Sequence, residues 1–468
     1  MNAFDDTLHR VLARFMNRAI PTRISSALSS DPEVSIGIAT IKIVTEDQIQ
    51  AIAFGSLDGG APEVIVRLDP IGRDVTDLLP FAAFINHTAS RAREVNGALR
   101  VWIPHSVTLE ALDILGHRYW QNQTAPDEVV RMGKFCRIVA HEAIFPGQQV
   151  VADASSLLQS HVVTGLAPIE EGHLDAMLAW FDPGVTDPLT EARERIRLPA
   201  SGILPNTPDH PFDDRIERLR KLYKGSSGRQ RTALGEQIKS ILHRWVLREW
   251  QLLVNARRAF LNLGLPSTGL EDLIKDSTTR MNYALTNGHF PARQPHKLAV
   301  LLAQMEAGLE KTELAELEGD PVIREQAQRA GGVVKGQVTE LHQSRPGRKP
   351  CTIDVDSEQQ VIRLRLDDKV KVVGSSVTGV VRGISSTPAG GTRVSIQITS
   401  GVRQTNVLSL GARLEVIRQG YGFVNFQAFN LVNQRQPWIF FGKTAPTIST
   451  GTPSHSSALA IAAKARNP

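Results

Sequence analysis

Three short, mainly apolar runs rich in β-branched residues lie near the start of the chain, and this pattern predicts β-strands. The runs occupy residues 34–44, 49–54 and 63–68. After Val75 the apolar positions recur every three or four residues instead, which predicts helices around one short strand at 99–104. Together these patterns predict an α+β domain over residues 1–198.

A segment with four prolines and no apolar period, residues 199–213, follows this domain and predicts a linker. Beyond it, helical periodicity predicts an all-α domain over residues 214–332. Its longest helix is expected from about residue 230 to residue 263, because apolar residues recur there on one face. Glu249 falls within that apolar stripe, which argues against a single unbroken helix.

Short β-branched runs replace the helical period after Gly332. Seven such runs lie between residues 333 and 418, separated by turns that contain Gly, Pro or Ser. Strands this short and this closely spaced predict a small C-terminal β-barrel, similar to the oligonucleotide-binding (OB) fold, over residues 333–443. Residues 444–468 are rich in Ser, Thr, Pro and Ala and predict a flexible tail. The sequence therefore predicts a multidomain α+β protein.

Charge is distributed unevenly along the chain. Residues 1–200 carry 17 Lys+Arg against 25 Asp+Glu, whereas residues 331–468 carry 17 against seven. Residues 215–300 carry 16 against six. Because clustered cationic charge is typical of nucleic-acid-binding surfaces, the central and C-terminal parts predict DNA or RNA as a partner. The acidic N-terminal domain, residues 1–198, is the expected contact for a protein partner.

Composition argues against several other classes of protein. No apolar run reaches the roughly 18 residues of a membrane span, and the first residues lack the order of a secretory signal. The two cysteines, Cys136 and Cys351, are far apart in sequence and predict neither a disulfide framework nor a metal-binding pair. We therefore expect a cytoplasmic protein with no membrane contact, no cofactor and no bound metal.

Three arginines form a row on the longest predicted helix. At 100° per residue, Arg248 and Arg258 lie about 40° to either side of Arg244, away from the centre of the apolar stripe. Such a row predicts contacts with a phosphate backbone. A solvated helix face has the same pattern, and the sequence leaves that alternative open.

Residues 418–426 read Arg-Gln-Gly-Tyr-Gly-Phe-Val-Asn-Phe. The segment resembles the aromatic signature of RNA-recognition-motif domains at seven of eight positions, with Gln419 in place of the basic residue. The resemblance implies that Tyr421 and Phe423 stack on bases, with Arg418 beside them. The helix that this family has after the signature is poorly matched here. Two alternatives stay open, namely a stacking surface on another β scaffold and a hairpin that packs against its own barrel.

Residues 150–158, Val-Val-Ala-Asp-Ala-Ser-Ser-Leu-Leu, resemble the first strand of the PIN-type nucleases. The resemblance implies a divalent metal at Asp153, beside other carboxylates. Glu191 and Glu194 are near enough in sequence to be its partners. The parallel strands that this fold needs afterwards are not evident, because the next segments read as helix and linker.

The sequence thus favours a non-catalytic nucleic-acid-binding protein, a recognition or scaffold subunit of a larger bacterial complex that contains a motor or a nuclease. Antiviral defence is one role that such a subunit could serve. The alternative is a metal-dependent nuclease that uses carboxylates of the N-terminal domain.

Overall fold

The computed structural model describes residues 3–43, 46–95, 98–200, 202–267, 269–287, 295–343, 350–404 and 407–419. These residues form a mixed α+β structure with twelve α-helices and three β-sheets. The chain divides into two compact units, residues 1–290 with 304–422 and residues 291–303 with 423–468, and every contact discussed below lies in the first. Within the described part of the chain, no helix has the length and apolarity that crossing a membrane requires.

The secondary structure follows the chain in this order. The strands are β1 (Ile20–Pro21), β2 (Ser35–Ile43), β3 (Glu46–Ser56), β4 (Glu63–Val66), β5 (Arg100–Ile103), β6 (Val151–Asp153), β7 (Val162–Val163), β8 (Val333–Gln343), β9 (Pro350–Ser357), β10 (Lys369–Val372), β11 (Thr378–Ser386), β12 (Thr392–Ser400) and β13 (Arg413–Arg418). The α-helices are α1 (Ala3–Met16), α2 (Leu79–Glu94), α3 (Ser106–Tyr119), α4 (Asp127–Glu142), α5 (Ala154–His161), α6 (Leu174–Leu178), α7 (Pro188–Arg195), α8 (Phe212–Gly225), α9 (Gly228–Leu261), α10 (Glu271–Asn287), α11 (Pro295–Gly319) and α12 (Pro321–Arg329).

The largest open sheet has five strands in the order β4-β3-β2-β5-β6. The pairs β4–β3 and β3–β2 are antiparallel, whereas β2–β5 and β5–β6 are parallel. Helices cover both faces, so alternate residues of β2 enter different cores: Ile38 packs with residues of α2, α3 and α4, and Ile41 packs with residues of α9. Burial on both faces explains why residues 34–44 are almost continuously apolar.

The 34-residue helix α9 is unbroken and crosses one face of this sheet. It approaches the sheet closely at Gly37, where a Cβ atom would lie 2.9 Å from the ring of Trp250, so only glycine leaves room for that indole. Residues of α8 and α9 share one hydrophobic core with the sheet. The predicted domain boundaries at 198 and 214 stay a prediction.

The segment 199–213, predicted as a linker, is attached to the sheet at one point. The amide of Lys42 donates to the carbonyl of Gly202 at 2.8 Å, and the amide of Leu204 donates back to Lys42 at 2.9 Å. Leu204 is buried in the core below. The segment therefore connects the sheet to α8 along a defined path.

Six antiparallel strands at the C-terminal end close into a ring in the order β10-β11-β12-β9-β8-β13, with β13 pairing back to β10. Their inward residues form a separate core of valine, isoleucine and leucine. Six of the seven predicted runs are strands of this ring. The seventh run, residues 360–366, is not a strand, because the ring closes without it. The backbone of this run bonds outside the ring instead: the amide of Arg363 donates to the carbonyl of Gly331 at 2.8 Å.

One buried carboxylate connects the N-terminal region to the helix that precedes the ring. Oδ2 of Asp320 accepts from the amides of Ile24 (2.8 Å) and Ser25 (3.1 Å), while Oδ1 accepts from the amides of Val322 (2.8 Å) and Ile323 (3.3 Å). Burial would raise the pKa of Asp320, but these N–H donors outweigh it and lower that pKa. Asp320 thus caps α12 and holds residues 24–25 at the same time.

Candidate nucleic-acid interface

Two of the three predicted phosphate-binding arginines are exposed on one side of α9. Arg244 and Arg258 both face solvent, whereas the apolar stripe of the helix is buried against the sheet. Fourteen residues separate them, which corresponds to about 21 Å along the axis and about 40° around it. The sheet-side anchoring of α9 therefore places Arg244 and Arg258 on a common outer face.

The third arginine, Arg248, is held by neighbouring residues of the protein. Its guanidinium donates to Oδ2 of Asp175 at 2.7 Å and to the carbonyl of Pro199 at 2.6 Å. The guanidinium also lies 5.4 Å from the centre of the Trp245 ring. Because these contacts occupy it, Arg248 joins α9 to α6 and to the start of the 199–213 segment, and it is less available for a phosphate than its two neighbours.

Helix α8 adds a basic edge that the sequence reasoning counted but did not single out. Its exposed cations are Arg215, Arg218, Lys221 and Lys224. They repeat every three residues, and residues at this spacing are neighbours on a helix surface. The repeat is visible in the sequence and would have predicted the basic edge. Only part of the edge is uncompensated, since Lys224 lies 3.2 Å from Asp69. The edge packs beside α9 through Ile216 and Leu219.

The ring contributes the predicted residue Arg418 at the end of β13. Arg418 is exposed, and its Nε lies 3.6 Å from Oδ1 of Asp368. Tyr421 and Phe423 lie outside the described residues, so their stacking role stays a prediction. The described part of this segment ends at Gln419, whose amide donates to the carbonyl of Lys369 at 2.7 Å.

A groove of about 680 Å³ on the ring has mixed charge. Lys335 and Arg413 line it together with Asp356 and Glu358, and the remaining lining is uncharged. Opposite charges of equal number give no net attraction for a phosphate backbone. The groove is therefore a weaker candidate than the outer face of α9.

The carboxylates proposed for a nuclease do not come together. Asp153 ends β6, an edge strand, and its side chain accepts from the amide of Ser156 at 3.1 Å as the N-terminal cap of α5. Burial raises the pKa of Asp153. Glu191 and Glu194 instead form ion pairs within and just after α7, with Arg195 at 2.7 Å and Arg197 at 2.9 Å. No ion-binding group of three side chains includes these carboxylates among the described residues.

A buried pair beside Asp153 was missed by the sequence reasoning. Nε2 of His105, the residue before α3, lies 3.0 Å from Oε2 of Glu249, and both side chains are at least 90% buried. The signal was present, because Glu249 interrupts an apolar stripe and a buried carboxylate needs a partner. That partner explains why α9 continues through Glu249 without a break.

Helix α1 presents its apolar side to solvent. Leu8, Val11, Leu12 and Phe15 lie on one stripe and are 40–87% exposed. The polar side holds the helix to the protein: Arg10 donates to the carbonyl of Leu166 at 2.7 Å and pairs with Glu171, and Arg14 donates to the carbonyl of Gly165. An amphipathic helix normally buries its apolar face, so the exposed stripe of α1 is unusual for a helix of the described chain.

Comparison with known proteins gives no relative for this chain, because no protein-family model and no curated protein matches it.

Proposed function

We propose that this protein binds nucleic acid through phosphate contacts, without chemistry of its own, as a recognition or scaffold subunit of a larger bacterial complex. The observation that carries the proposal is the exposure of Arg244 and Arg258 on the outer face of α9. A helix that carries two arginines about 21 Å apart along its axis can contact a phosphate backbone at both without reading bases. The basic edge of α8 extends the same region.

An OB-like role for the closed ring and a stacking role for the segment after it belong to the same proposal. Arg418 is exposed where the described ring ends, directly before Tyr421 and Phe423. Aromatic side chains next to a cation are typical of single-strand binding, since bases stack on the rings while the cation approaches the phosphates.

A protein partner completes the proposed role, and the exposed stripe of α1 is its contact. Arg10 and Arg14 bind the opposite side of α1 to the protein, so its four large apolar side chains point to solvent. Such a stripe is suited to a partner with an apolar face. This assignment places the protein partner on the acidic N-terminal part of the chain. A phosphate backbone would be repelled there, so the two partners would not compete for the same surface.

The double substitution Arg244→Glu/Arg258→Glu tests the nucleic-acid proposal. We expect the wild type to bind labelled duplex DNA with an affinity that falls steeply as salt rises. In the variant, the magnitude of the slope of log K against log salt should be smaller by about 1.8, because two phosphate contacts are lost. Affinity at moderate salt should fall by roughly thirtyfold for any base sequence. Fluorescence anisotropy at several salt concentrations measures both quantities.

A matched control is Arg91→Glu/Arg93→Glu on α2, which changes net charge equally at two other exposed arginines. Equal losses in both double variants would reduce the effect to net charge and would contradict an interface on α9. The same reactions are run with Mg²⁺ or Mn²⁺ and with single-stranded DNA and RNA. Cleavage of any strand would favour the alternative, a metal-dependent nuclease.

Changing Tyr421 or Phe423 to alanine tests the stacking role. If the rings stack on bases, each change should weaken single-strand binding by about 1 to 3 kcal/mol and leave duplex binding and thermal stability nearly unchanged. If the rings are buried, Phe423→Ala should instead destabilise the fold by about 3 to 5 kcal/mol. Binding isotherms and melting curves on the same variants separate the two outcomes.

A further inference from the structure

The ring carries a histidine and two carboxylates on the pair of strands β8 and β9. A β-bulge between Val338 and Glu340 shifts the register, so that Glu340 lies opposite Asp354, and His342 follows two residues along. One ligand atom from each of these three side chains lies within 4.8 Å of the others, the one such group in the described part of the chain. Bulges often re-aim side chains in this way next to functional sites.

Two of the three distances between these atoms are near those of a metal coordination sphere, and the shorter of them is also a hydrogen-bond distance. Nε2 of His342 lies 3.1 Å from Oδ2 of Asp354 and 3.8 Å from Oε2 of Glu340. Tetrahedral zinc with ligand bonds of about 2.1 Å separates neighbouring ligand atoms by about 3.4 Å, between the two observed values. A small adjustment of the half-exposed side chains of Glu340 and His342 would reach that geometry.

The buried carboxylate of the group has an oxygen atom without a partner among the described residues. The side chain of Asp354 is 10% exposed, and no described donor bonds to its Oδ1. A buried acceptor left in this state costs about 1 to 3 kcal/mol, which a bound cation would offset. This unsatisfied atom is independent of the distances and also points to a cation.

Charge around the group is negative in an otherwise basic ring. Arg393 is fixed by Asp356, with contacts of 2.6 and 2.9 Å, and it reaches Oε1 of Glu340 at 3.1 Å. Arg393 is one cation beside three carboxylates, those of Asp356, Glu340 and Asp354, so the formal charge of these four groups is negative. A divalent cation would offset that charge.

We propose that Glu340, His342 and Asp354 bind one Zn²⁺ ion on the outer face of the ring. Imidazole with carboxylates is a donor set that zinc accepts, and three protein ligands leave one position for water. Arg393 acts on the oxygen of Glu340 that faces away from the ion, and so it orients Oε2 toward His342. The site does not depend on the proposed nucleic-acid binding.

Titration of the full-length, chelator-treated protein with ZnCl₂ tests the proposal by calorimetry. We expect one zinc per chain, and a loss of affinity of about tenfold or more in His342→Gln and in Asp354→Asn. The matched control is His243→Gln, which removes an exposed histidine of α9 outside the group. Melting curves without metal show whether each variant is folded.

Zinc binding should also raise the melting temperature of the wild type and not that of folded His342→Gln, because a ligand of the native state stabilises it. Equal zinc affinity in the wild type and folded His342→Gln would overturn the proposal, as would no binding by the wild type. Magnesium chloride is the second probe. Mg²⁺ prefers oxygen ligands, so Mg²⁺ binding as tight as Zn²⁺ binding would indicate that the carboxylates bind the ion without His342. That result would also overturn the proposal.

Discussion

Replacing Glu249 with alanine is expected to lower the free energy of unfolding by about 3 to 5 kcal/mol. Glu249 is 1% exposed, and its carboxylate is the hydrogen-bond partner of Nε2 of His105, whose other ring nitrogen has no partner in the described part of the chain. Truncation would therefore leave a buried imidazole with no hydrogen bond and would also empty space between α9 and the sheet. Chemical denaturation monitored by tryptophan fluorescence measures the loss.

The matched control is Glu236→Ala, which removes an exposed glutamate from the same helix and should change stability by less than about 0.5 kcal/mol. The double variant His105→Phe/Glu249→Leu removes both polar groups and should regain most of the loss, because no buried group is left unpaired. A loss in Glu249→Ala no larger than in Glu236→Ala would contradict the assigned role of the pair.

Lowering the pH from 6.5 to about 4 is expected to remove about 3 kcal/mol of stability through His161 alone. Burial lowers the pKa of His161 from 6.5 to about 4. Between these values the unfolded chain binds a proton that the folded chain does not, so acid favours unfolding. The contacts agree: Nε2 accepts from the amide of Ala27 at 2.9 Å, and a proton on Nε2 would break that bond.

The measurement is a difference between two proteins, because other groups also titrate in this range. Burial raises the pKa of Asp153 and of Glu142, an effect that opposes that of His161 in the total slope. Denaturation midpoints of the wild type and His161→Gln are compared across the range, with His243→Gln as the exposed control. Parallel curves for the wild type and His161→Gln would refute the assignment.

The periodicity of apolar residues was sufficient to predict helices and strands that are buried in the same way along their whole length. The strand β2 is covered on both faces and reads as a continuous apolar run, and α9 spans Gly228–Leu261 close to the expected 230–263. The ring strands alternate because one face is core and the other is solvent. Residues 360–366 have the same alternation but lie outside the ring, since alternation reports burial and not pairing.

The contacts that decide which arginines are free could not be read from the sequence. Arg248 and Arg244 have the same residue type and share a helix face, yet among the described residues only Arg248 of the two contacts a carboxylate, that of Asp175, 73 residues away. His105 and Glu249 are 144 residues apart. Helical periodicity gives the face of a side chain, whereas its partner depends on how the sheet and helices pack.

The double role of Asp320 has a consequence for biosynthesis. Its carboxylate lies 296 residues beyond the amide of Ile24 that it binds. At a translation rate of about 5 to 20 residues per second, the ribosome adds Asp320 roughly 15 to 60 s after Ile24. During that interval the amides of residues 24–25 lack this acceptor. The N-terminal region of the nascent chain therefore stays incompletely folded, and open to recognition by a chaperone, until Asp320 has been synthesised.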